Sequence, residues 1–294
     1  MSEDVTMRVL SSDEVEVAVH DLGGTGRPLL LSHATGFHGH CHAPMADVLA
    51  DRFHSFALDY RGHGLTERPH DWQVDWNRYG DDALAAARAV APDGGLVAFG
   101  HSMGGAGLLM AAHRDPGLFD LIVAFEPIVF PPPEQSEVLP PDSPLPNSPL
   151  AVGARRRRNR FASLDEAIAN YAAKPPLAAF TPAALRSYVE HGFRPADDGD
   201  GVVLRCAPEH EARTFEQGGL HRTWELLPEI TTPVVVVAGM HTEMSPAAIA
   251  EPIARELPVS TSVQLDHLDH FGPMTHPDEV AELVADAVER LTHG

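Results

Sequence analysis

The sequence has little cysteine and almost no lysine. Cys41 and Cys206 are the two cysteines among 294 residues, too few and too far apart for a disulfide framework or a cysteine-based zinc site. Lysine occurs once, and 21 basic residues stand against 42 acidic ones, giving a formal net charge of −21. So acidic a chain cannot neutralise many phosphates and is repelled by anionic lipid, so we expect neither nucleic acid nor a membrane as partner.

Long apolar runs are also missing. No stretch approaches the roughly 18 consecutive apolar residues of a membrane helix. Residues 1–4 are acidic and lack the apolar segment of a secretory signal, so we expect a cytoplasmic protein. An apolar content of 44% still allows a sizeable core, within one large domain carrying an insertion or two ordinary domains.

Short apolar runs alternate with helical patterns along much of the chain. Continuous apolar strands separated by helices predict a mostly parallel sheet covered by helices on both faces. The predicted strands are 7–10, 15–20, 28–32, 53–59, 95–100, 121–125, 233–238 and 261–265, and the main predicted helices are 81–90, 103–113 and 278–291.

The alternation stops between residues 127 and 227. Prolines are frequent in the first part of this segment. In its second part, capping patterns that begin at Ser163 and Thr181 predict two helices. Loops beyond the carboxyl edge of such a sheet carry ligand sites, so we expect a helical lid over the site. The predicted domains are a core of residues 1–126 and 228–294 and a lid (cap) insertion of residues 127–227.

A Gly-x-Ser-x-Gly pattern stands between a predicted strand and a predicted helix. It comprises Gly100, His101, Ser102, Met103 and Gly104. In this context the serine is expected on a sharp turn that needs small neighbours and lies at a helix N-terminus, where developing negative charge is favoured. We therefore predict Ser102 as a nucleophile.

A serine hydroxyl needs a base to accept its proton, and chain position selects among the 18 histidines. A loop histidine after the last predicted strand fits the order serine, acid, histidine. His270 is our prediction and His267 is the near alternative. His276 fits better at the start of the final helix.

Two glutamates compete for the acid that orients the imidazole. Glu243 lies in the loop after the penultimate predicted strand, whereas Glu126 follows the apolar strand at 121–125 and precedes the predicted lid. Both loops lie at the carboxyl edge of the sheet. Glu243 is our first prediction and Glu126 the alternative.

An oxyanion requires two N–H donors that are held in place. One is expected from the backbone of Met103. The other is expected from the loop at 33–39, where Thr35 is our first choice and Phe37 the alternative.

Other histidines and arginines form conspicuous groups. His38 and His101 are candidates for contact with the substrate. His38, His40 and His42 alternate in sequence but lack matching carboxylates or cysteines, so we predict no metal. The arginines at 155–158 suggest a solvated helix face, with contact to an anionic substrate as the alternative.

Over essentially its whole length the sequence resembles the α/β-hydrolase superfamily. The loop at 33–39 resembles the family's oxyanion motif, although Ala34 stands where glycine is usual. Residues 59–64 are similar to the D-x-R-G-x-G turn, 100–105 to the nucleophile elbow and 270–281 to the histidine loop. The resemblance implies an α/β fold whose eight-stranded, mostly parallel sheet has helices on both faces and a helical cap insertion.

Two departures from the family pattern concern the acid. The usual aspartate, three residues after a glycine, would fall on Thr242, one residue before Glu243. The segment around Glu126 resembles haloalkane dehalogenases, in which a glutamate at the end of the earlier strand is the acid. Those enzymes use an aspartate nucleophile, so Ser102 instead favours acyl transfer of the esterase kind.

We therefore expect a cofactor-free serine hydrolase that cleaves a carboxylic ester, lactone or thioester through an acyl-enzyme on Ser102. The same triad would also serve carbon–carbon bond hydrolysis or cofactor-free perhydrolysis. An acyltransferase and a ligand-binding protein on a hydrolase scaffold are further alternatives. The expected partner is a small-molecule substrate, and the sequence leaves the oligomeric state open.

Overall fold

The computed structural model describes residues 6–132, 148–242 and 245–293. Most strands follow the apolar runs of the sequence closely. In these residues the strands are β1 (Thr6–Leu10), β2 (Glu16–Gly24), β3 (Arg27–Ser32), β4 (Phe53–Asp59), β5 (Leu96–His101), β6 (Phe119–Phe125), β7 (Arg160–Phe161), β8 (Phe193–Pro195), β9 (Val202–Leu204), β10 (Val234–Ala238) and β11 (Ser260–Gln264).

Eight of these strands form one sheet, in the order β1-β2-β4-β3-β5-β6-β10-β11. The pairs β1–β2 and β2–β4 are antiparallel, and all other neighbours are parallel. The carboxyl ends of β3, β5, β6 and β10 therefore meet at one edge. The mostly parallel eight-stranded sheet expected from the sequence is confirmed.

Helices cover both faces of this sheet. Leu30 of β3 packs with the apolar cluster under the helices at 76–90, 103–114 and 247–256, whereas its neighbours Leu29 and Leu31 pack with the cluster under the helices at 43–49 and 277–293. Successive side chains of a strand point to opposite faces, so a continuous apolar run serves both layers. The helices are α1 (Ala43–Leu49), α2 (Trp76–Val90), α3 (Met103–Arg114), α4 (Pro149–Arg155), α5 (Leu164–Ala172), α6 (Pro182–Gly192), α7 (Pro208–Gln217), α8 (Thr223–Leu226), α9 (Ala247–Glu256), α10 (Gly272–Thr275) and α11 (Pro277–His293).

Among the helices of the described ranges, none has both the length and the apolar character needed to span a membrane.

The segment between β6 and β10 contains α4 to α8. Two of its helices begin as expected, since Ser163 caps α5 by accepting the N–H of Glu166, and Thr181 caps α6 by accepting that of Ala184. The segment is not purely helical, because β7, β9 and β8 form a small antiparallel sheet. These strands are only two or three residues long, too short to show a period-2 pattern in the sequence. The role of this insertion as a lid stays a prediction.

Candidate active site

Ser102 lies on a strained turn between β5 and α3. Its φ of 57° and ψ of −116° are rare for a residue other than glycine. Main-chain hydrogen bonds hold the turn, because the N–H of Ser102 donates to Phe125 O at 2.9 Å and its carbonyl accepts the N–H of Ile128 at 3.2 Å. Such strain costs roughly 1–3 kcal/mol and persists only where the surroundings impose it. The turn thus holds Ser102 at the N-terminus of α3.

Glycines in the turn are required by close packing. A Cβ at Gly100 would lie 2.7 Å from the backbone of Gly105, and a Cβ at Gly104 would lie 2.3 Å from the carbonyl oxygen of Ser32. Ser32 ends β3, so Gly104 is where α3 and β3 approach each other. The spacing of the motif therefore follows from the contact between these elements.

Glu126 and His270 are in direct contact at the edge of the sheet. Glu126 follows β6 and is fully buried, and its Oε2 lies 2.5 Å from Nδ1 of His270. Its Oε1 accepts the N–H of Gly239 at 2.8 Å. The backbone of Glu126 has a φ of 45°, and its N–H donates to Val237 O. The imidazole is thereby oriented with Nδ1–H toward the carboxylate, which leaves Nε2 for proton transfer.

The remaining candidates for base and acid lie elsewhere. Glu243, our first prediction for the acid, lies outside the described residues. His267 has a side chain that is 59% exposed and pairs with Glu279 on α11. His276 is also exposed, and its Nδ1 lies 2.9 Å from the hydroxyl of Thr275. Among the described candidates, His270 is the histidine that meets a buried carboxylate.

His101 connects the serine turn to the histidine loop. Its Nε2 lies 2.7 Å from the carbonyl oxygen of His270, and the two ring centroids are 4.8 Å apart. A carbonyl only accepts, so Nε2 of His101 carries the proton. Burial lowers the pKa of His101 well below its usual value, and His270 lowers it further, so the ring is neutral at pH 7. The sequence suggested His101 as a substrate contact, whereas its observed contact positions the backbone of His270.

The loop after β3 is anchored by His33. Its Nδ1 lies 2.8 Å from the carbonyl oxygen of Ala34, and its Nε2 accepts the N–H of Tyr60 at 3.0 Å. These partners fix a neutral ring with the proton on Nδ1. Burial lowers the pKa of His33 well below its usual value, in agreement with this state. The buried ring therefore joins the start of this loop to the backbone that follows β4.

Thr35 and Phe37 differ as candidates for the oxyanion donor. The N–H of Phe37 donates to Ala34 O at 3.1 Å and is already used. The N–H of Thr35 has no partner within the described part of the chain, and its Oγ1 lies 3.5 Å from Sδ of Met103. Met103 opens α3, so its own N–H is free of intrahelical bonding. Thr35 and Met103 therefore lie side by side, both with N–H groups available.

His38 faces the insertion. Its Nε2 donates to the carbonyl oxygen of Tyr188 in α6 at 3.0 Å, and burial lowers its pKa to about 4. This hydrogen bond fastens α6 to the core, which differs from the substrate contact suggested by the sequence. In the parts of the chain that are described, no group of three or more histidine, cysteine, aspartate or glutamate side chains is arranged to hold a metal.

Asp59, which begins the D-x-R-G-x-G turn, is a structural carboxylate. It accepts the N–H of Gly39 and of Leu65, each at 2.7 Å, and lies 2.8 Å from Nε2 of His20. Burial alone would raise its pKa, but the hydrogen bond and charge of His20 outweigh burial and hold the pKa well below the usual range. Through Gly39, Asp59 fixes the far end of the loop that carries Thr35.

A buried ion pair from the insertion packs against this loop. Nη1 of Arg157 lies 2.6 Å from Oε2 of Glu211, while Nη2 of Arg157 donates to the hydroxyls of Tyr171, at 3.3 Å, and Tyr188. Oε1 of Glu211 lies 2.5 Å from the point that a Cβ of Gly36 would occupy. We call these four side chains the Arg157–Glu211 cluster.

Sequence reasoning missed the Arg157–Glu211 cluster. The arginine run at 155–158 suggested a solvated face, and this holds for Arg155 and Arg158 but not for Arg157, whose side chain is 20% exposed. Glu211 is 54 residues further along the chain. No local pattern links the two positions, so the sequence offered no signal for their contact.

Known proteins resemble this chain over most of its length. The 2-(acetamidomethylene)succinate hydrolase of Mesorhizobium japonicum is 27% identical over 270 residues, which cover 90% of this chain and 89% of that protein. The crystal structure of an E-2-(acetamidomethylene)succinate hydrolase has a TM-score of 0.75 at 23% identity and covers 98% of this chain and 100% of that one.

A second solved structure is similar to this chain in fold. The N-formylmaleamic acid deformylase of Pseudomonas putida S16 has a TM-score of 0.71 at 21% identity and covers 95% of this chain and 100% of that one. The model of the alpha/beta hydrolase family matches residues 29–283, which include Ser102, Glu126 and His270. The chain therefore belongs to the alpha/beta hydrolase family.

Proposed function

We propose that this protein is a serine hydrolase with Ser102 as nucleophile, His270 as base and Glu126 as the acid that orients the base. The contact of 2.5 Å between Oε2 of Glu126 and Nδ1 of His270 carries this proposal. It is supported by the strained backbone of Ser102 and of Glu126, because such strain concentrates at functional sites.

The geometry supports acyl transfer in two steps. Oγ of Ser102 attacks a carbonyl carbon while Nε2 of His270 accepts its proton, and Glu126 stabilises the imidazolium. The N–H groups of Met103 and Thr35 hold the oxyanion. His270 then protonates the leaving group, and a water activated by the same histidine hydrolyses the acyl-enzyme.

A hydrogen bond from Oγ of Ser102 to Nε2 of His270 is expected to form when substrate binds. Oγ of Ser102 makes no hydrogen bond to His270 in the described residues, which are 6–132, 148–242 and 245–293. In unliganded hydrolases this bond is often long and shortens only in the substrate complex.

We assign the acid to Glu126 in preference to Glu243. Both carboxylate oxygens of Glu126 have donors, from His270 and Gly239, and the group is fully buried. A buried carboxylate with this bonding stays in place and ready to balance an imidazolium.

The scissile bond that we propose is an amide, in place of the ester, lactone or thioester expected from the sequence. The support is the substrate in the name of the 27% identical relative, which contains an acetamido group and two carboxylates and no ester. An amide nitrogen leaves readily only when it is protonated, and in the proposed mechanism Nε2 of His270 delivers that proton.

A fluorophosphonate probe followed by peptide mass spectrometry tests the nucleophile. We expect a single adduct on Ser102 in the wild type and none in the Ser102→Ala variant. An adduct on another residue, or none in a folded wild type, would contradict the proposed function.

Rate enhancements over the uncatalysed reaction test the bond. We expect the enhancement for an N-acyl amide to exceed that for the ester and for the diketone with the same acyl group. A larger enhancement for the ester restores the interpretation from the sequence, and a larger one for the diketone favours carbon–carbon bond hydrolysis.

A further inference from the structure

The Arg157–Glu211 cluster lies beside the proposed oxyanion hole. Oε1 of Glu211 packs against Gly36, the residue after Thr35, which we propose as an oxyanion donor. The ring of Phe37 lies 5.2 Å from that of Tyr188, between centroids, so the loop and the cluster form one packed unit. Because Gly36 directly follows Thr35, the cluster lies next to the place proposed for the substrate carbonyl.

The positive charge of the cluster is already balanced. Nη1 of Arg157 binds Oε2 of Glu211, and Nη2 binds the hydroxyls of two tyrosines. A substrate carboxylate at Arg157 would have to displace Glu211 or lie beside it. Either arrangement leaves a buried negative charge without compensation, which is strongly unfavourable. The cluster thus selects against a carboxylate at this place.

One acceptor in the cluster is unused. Oε2 of Glu211 is bound by Arg157, while its Oε1 has no hydrogen-bond partner among the side chains and backbone groups that the structure describes. The glutamate is only 6% exposed. A carboxylate is an acceptor only, and a nearly buried acceptor gains from a donor brought by a ligand.

We propose that Oε1 of Glu211 accepts a hydrogen bond from an uncharged N–H or O–H group of the substrate, close to the scissile carbonyl. The enzyme then prefers neutral acyl compounds that carry such a donor and discriminates against a carboxylate at the same place. This inference rests on the proposed function, because it places the substrate carbonyl at Thr35 and Met103.

Three p-nitrophenyl esters of nearly equal size test separately the effect of an N–H donor and the effect of a carboxylate near the scissile carbonyl. N-Acetylglycine supplies an N–H donor, 4-oxopentanoate replaces that N–H by a methylene, and succinate supplies a carboxylate. The values of kcat/KM are compared directly, because the succinyl carboxylate and the N-acetyl oxygen attack their own ester carbonyl and raise those two uncatalysed rates. We expect the wild type to prefer the N-acetylglycyl ester to the 4-oxopentanoyl ester by about tenfold or more, with the succinyl ester last.

Glu211→Gln is the matching variant. Its single remaining oxygen faces Arg157, so its amide N–H₂ faces the substrate and donates. We expect the preference for the N-acetylglycyl ester to fall about tenfold and the succinyl ester to gain relative to both others. Glu209→Gln is the control, because Glu209 lies on the same helix and binds Arg155 at a site where its side chain is 53% exposed. It should leave all three ratios unchanged.

Several outcomes would overturn the inference. A wild type that prefers the succinyl ester, or treats the N-acetylglycyl and 4-oxopentanoyl esters alike, contradicts it without any variant. Unchanged ratios in a folded Glu211→Gln protein contradict it as well. If Ser102 is labelled by the fluorophosphonate, such results leave the proposed function intact. If Ser102 is not labelled and no ester is hydrolysed, both proposals fail.

Discussion

The edge of the sheet and the insertion hold their functional side chains by different means. Ser102 and Glu126 are placed by main-chain hydrogen bonds to the neighbouring strands β6 and β10. Arg157 follows α4 and Glu211 lies on α7, and the two are placed by the contact between their own side chains. Main-chain placement requires particular residue types at fixed spacing, whereas side-chain placement requires only that the partners meet after folding. The first kind leaves a motif in the sequence and the second does not.

The largest expected effect is at the sheet edge. Ser102→Ala removes the proposed nucleophile, so kcat should fall by roughly 10⁴–10⁶-fold while the fold is kept. Steady-state kinetics together with urea unfolding measure both quantities. Ser262→Ala, at an exposed position of β11, is the control and should change neither. Substantial residual activity in the Ser102 variant would mean that the chemistry takes place elsewhere.

The next largest effect on kcat is expected at Glu126, the proposed acid. Glutamine at position 126 has one acceptor for two donors, the Nδ1–H of His270 and the N–H of Gly239. Glu126→Gln should therefore lower kcat by roughly 10²–10⁴-fold, as expected for an imidazole that loses its orienting carboxylate. Glu243→Gln should stay within about twofold of the wild type. The opposite ranking of the two variants would return the role to Glu243.

The free energy of unfolding tests whether the Arg157–Glu211 ion pair of the insertion is buried. Arg157→Ala leaves the carboxylate of Glu211 nearly buried without a partner, which should lower the free energy of unfolding by about 3–5 kcal/mol. Arg155→Ala removes a guanidinium that is 36% exposed and leaves Glu209, which is 53% exposed, and Glu216, which still reaches solvent at 15%, so it should cost less than about 1 kcal/mol. Urea unfolding compares the two variants, and equal losses would show that Arg157 is no more buried than its neighbour.

The smallest expected effect per residue comes from pH. Burial lowers the pKa of His38, His63 and His221 to about 4 from the usual 6.5. The unfolded chain binds these protons near pH 6.5 and the folded chain does not until about pH 4, so stability present above pH 6.5 is lost as the pH falls through this window. From pH 7 to pH 6 each such group should lower the free energy of unfolding by about 0.7 kcal/mol, so these three together lower it by about 2 kcal/mol, and His33 and His101 add to the drop.

Urea unfolding at both pH values measures this drop. In the His221→Gln variant one such group is gone, and the drop should shrink by about 0.7 kcal/mol. A pH-independent stability between pH 7 and pH 6 would contradict neutral burial of these rings.

The fold was predictable wherever burial imposes a pattern. Strand β10, buried between two neighbours, consists mostly of valine and was expected at 233–238, close to its observed range of Val234–Ala238. The three strands of the insertion escaped prediction because they are too short to show a period.

The choice between Glu126 and Glu243 could not be made from the chain order. Strands β6 and β10 are adjacent and parallel, so a residue after either one arrives at the same edge. The contacts of Glu126 with His270 and Gly239 are tertiary and leave no trace in spacing. The Arg157–Glu211 cluster escaped for the same reason, since its burial exists only once α4 and α7 have packed together.

The hydrogen bond from Gly239 to Glu126 has a consequence for how this protein can change over evolutionary time. Its donor is a main-chain N–H, and a Cβ at Gly239 would lie 2.6 Å from Leu268 O and 2.9 Å from Oε1 of Glu126. Only glycine therefore fits at position 239. In the proposed mechanism the residues after it supply no catalytic group, because Glu126 is the acid. Sequence drift or insertions after Gly239 can then accumulate without disturbing the proposed proton chemistry of the site.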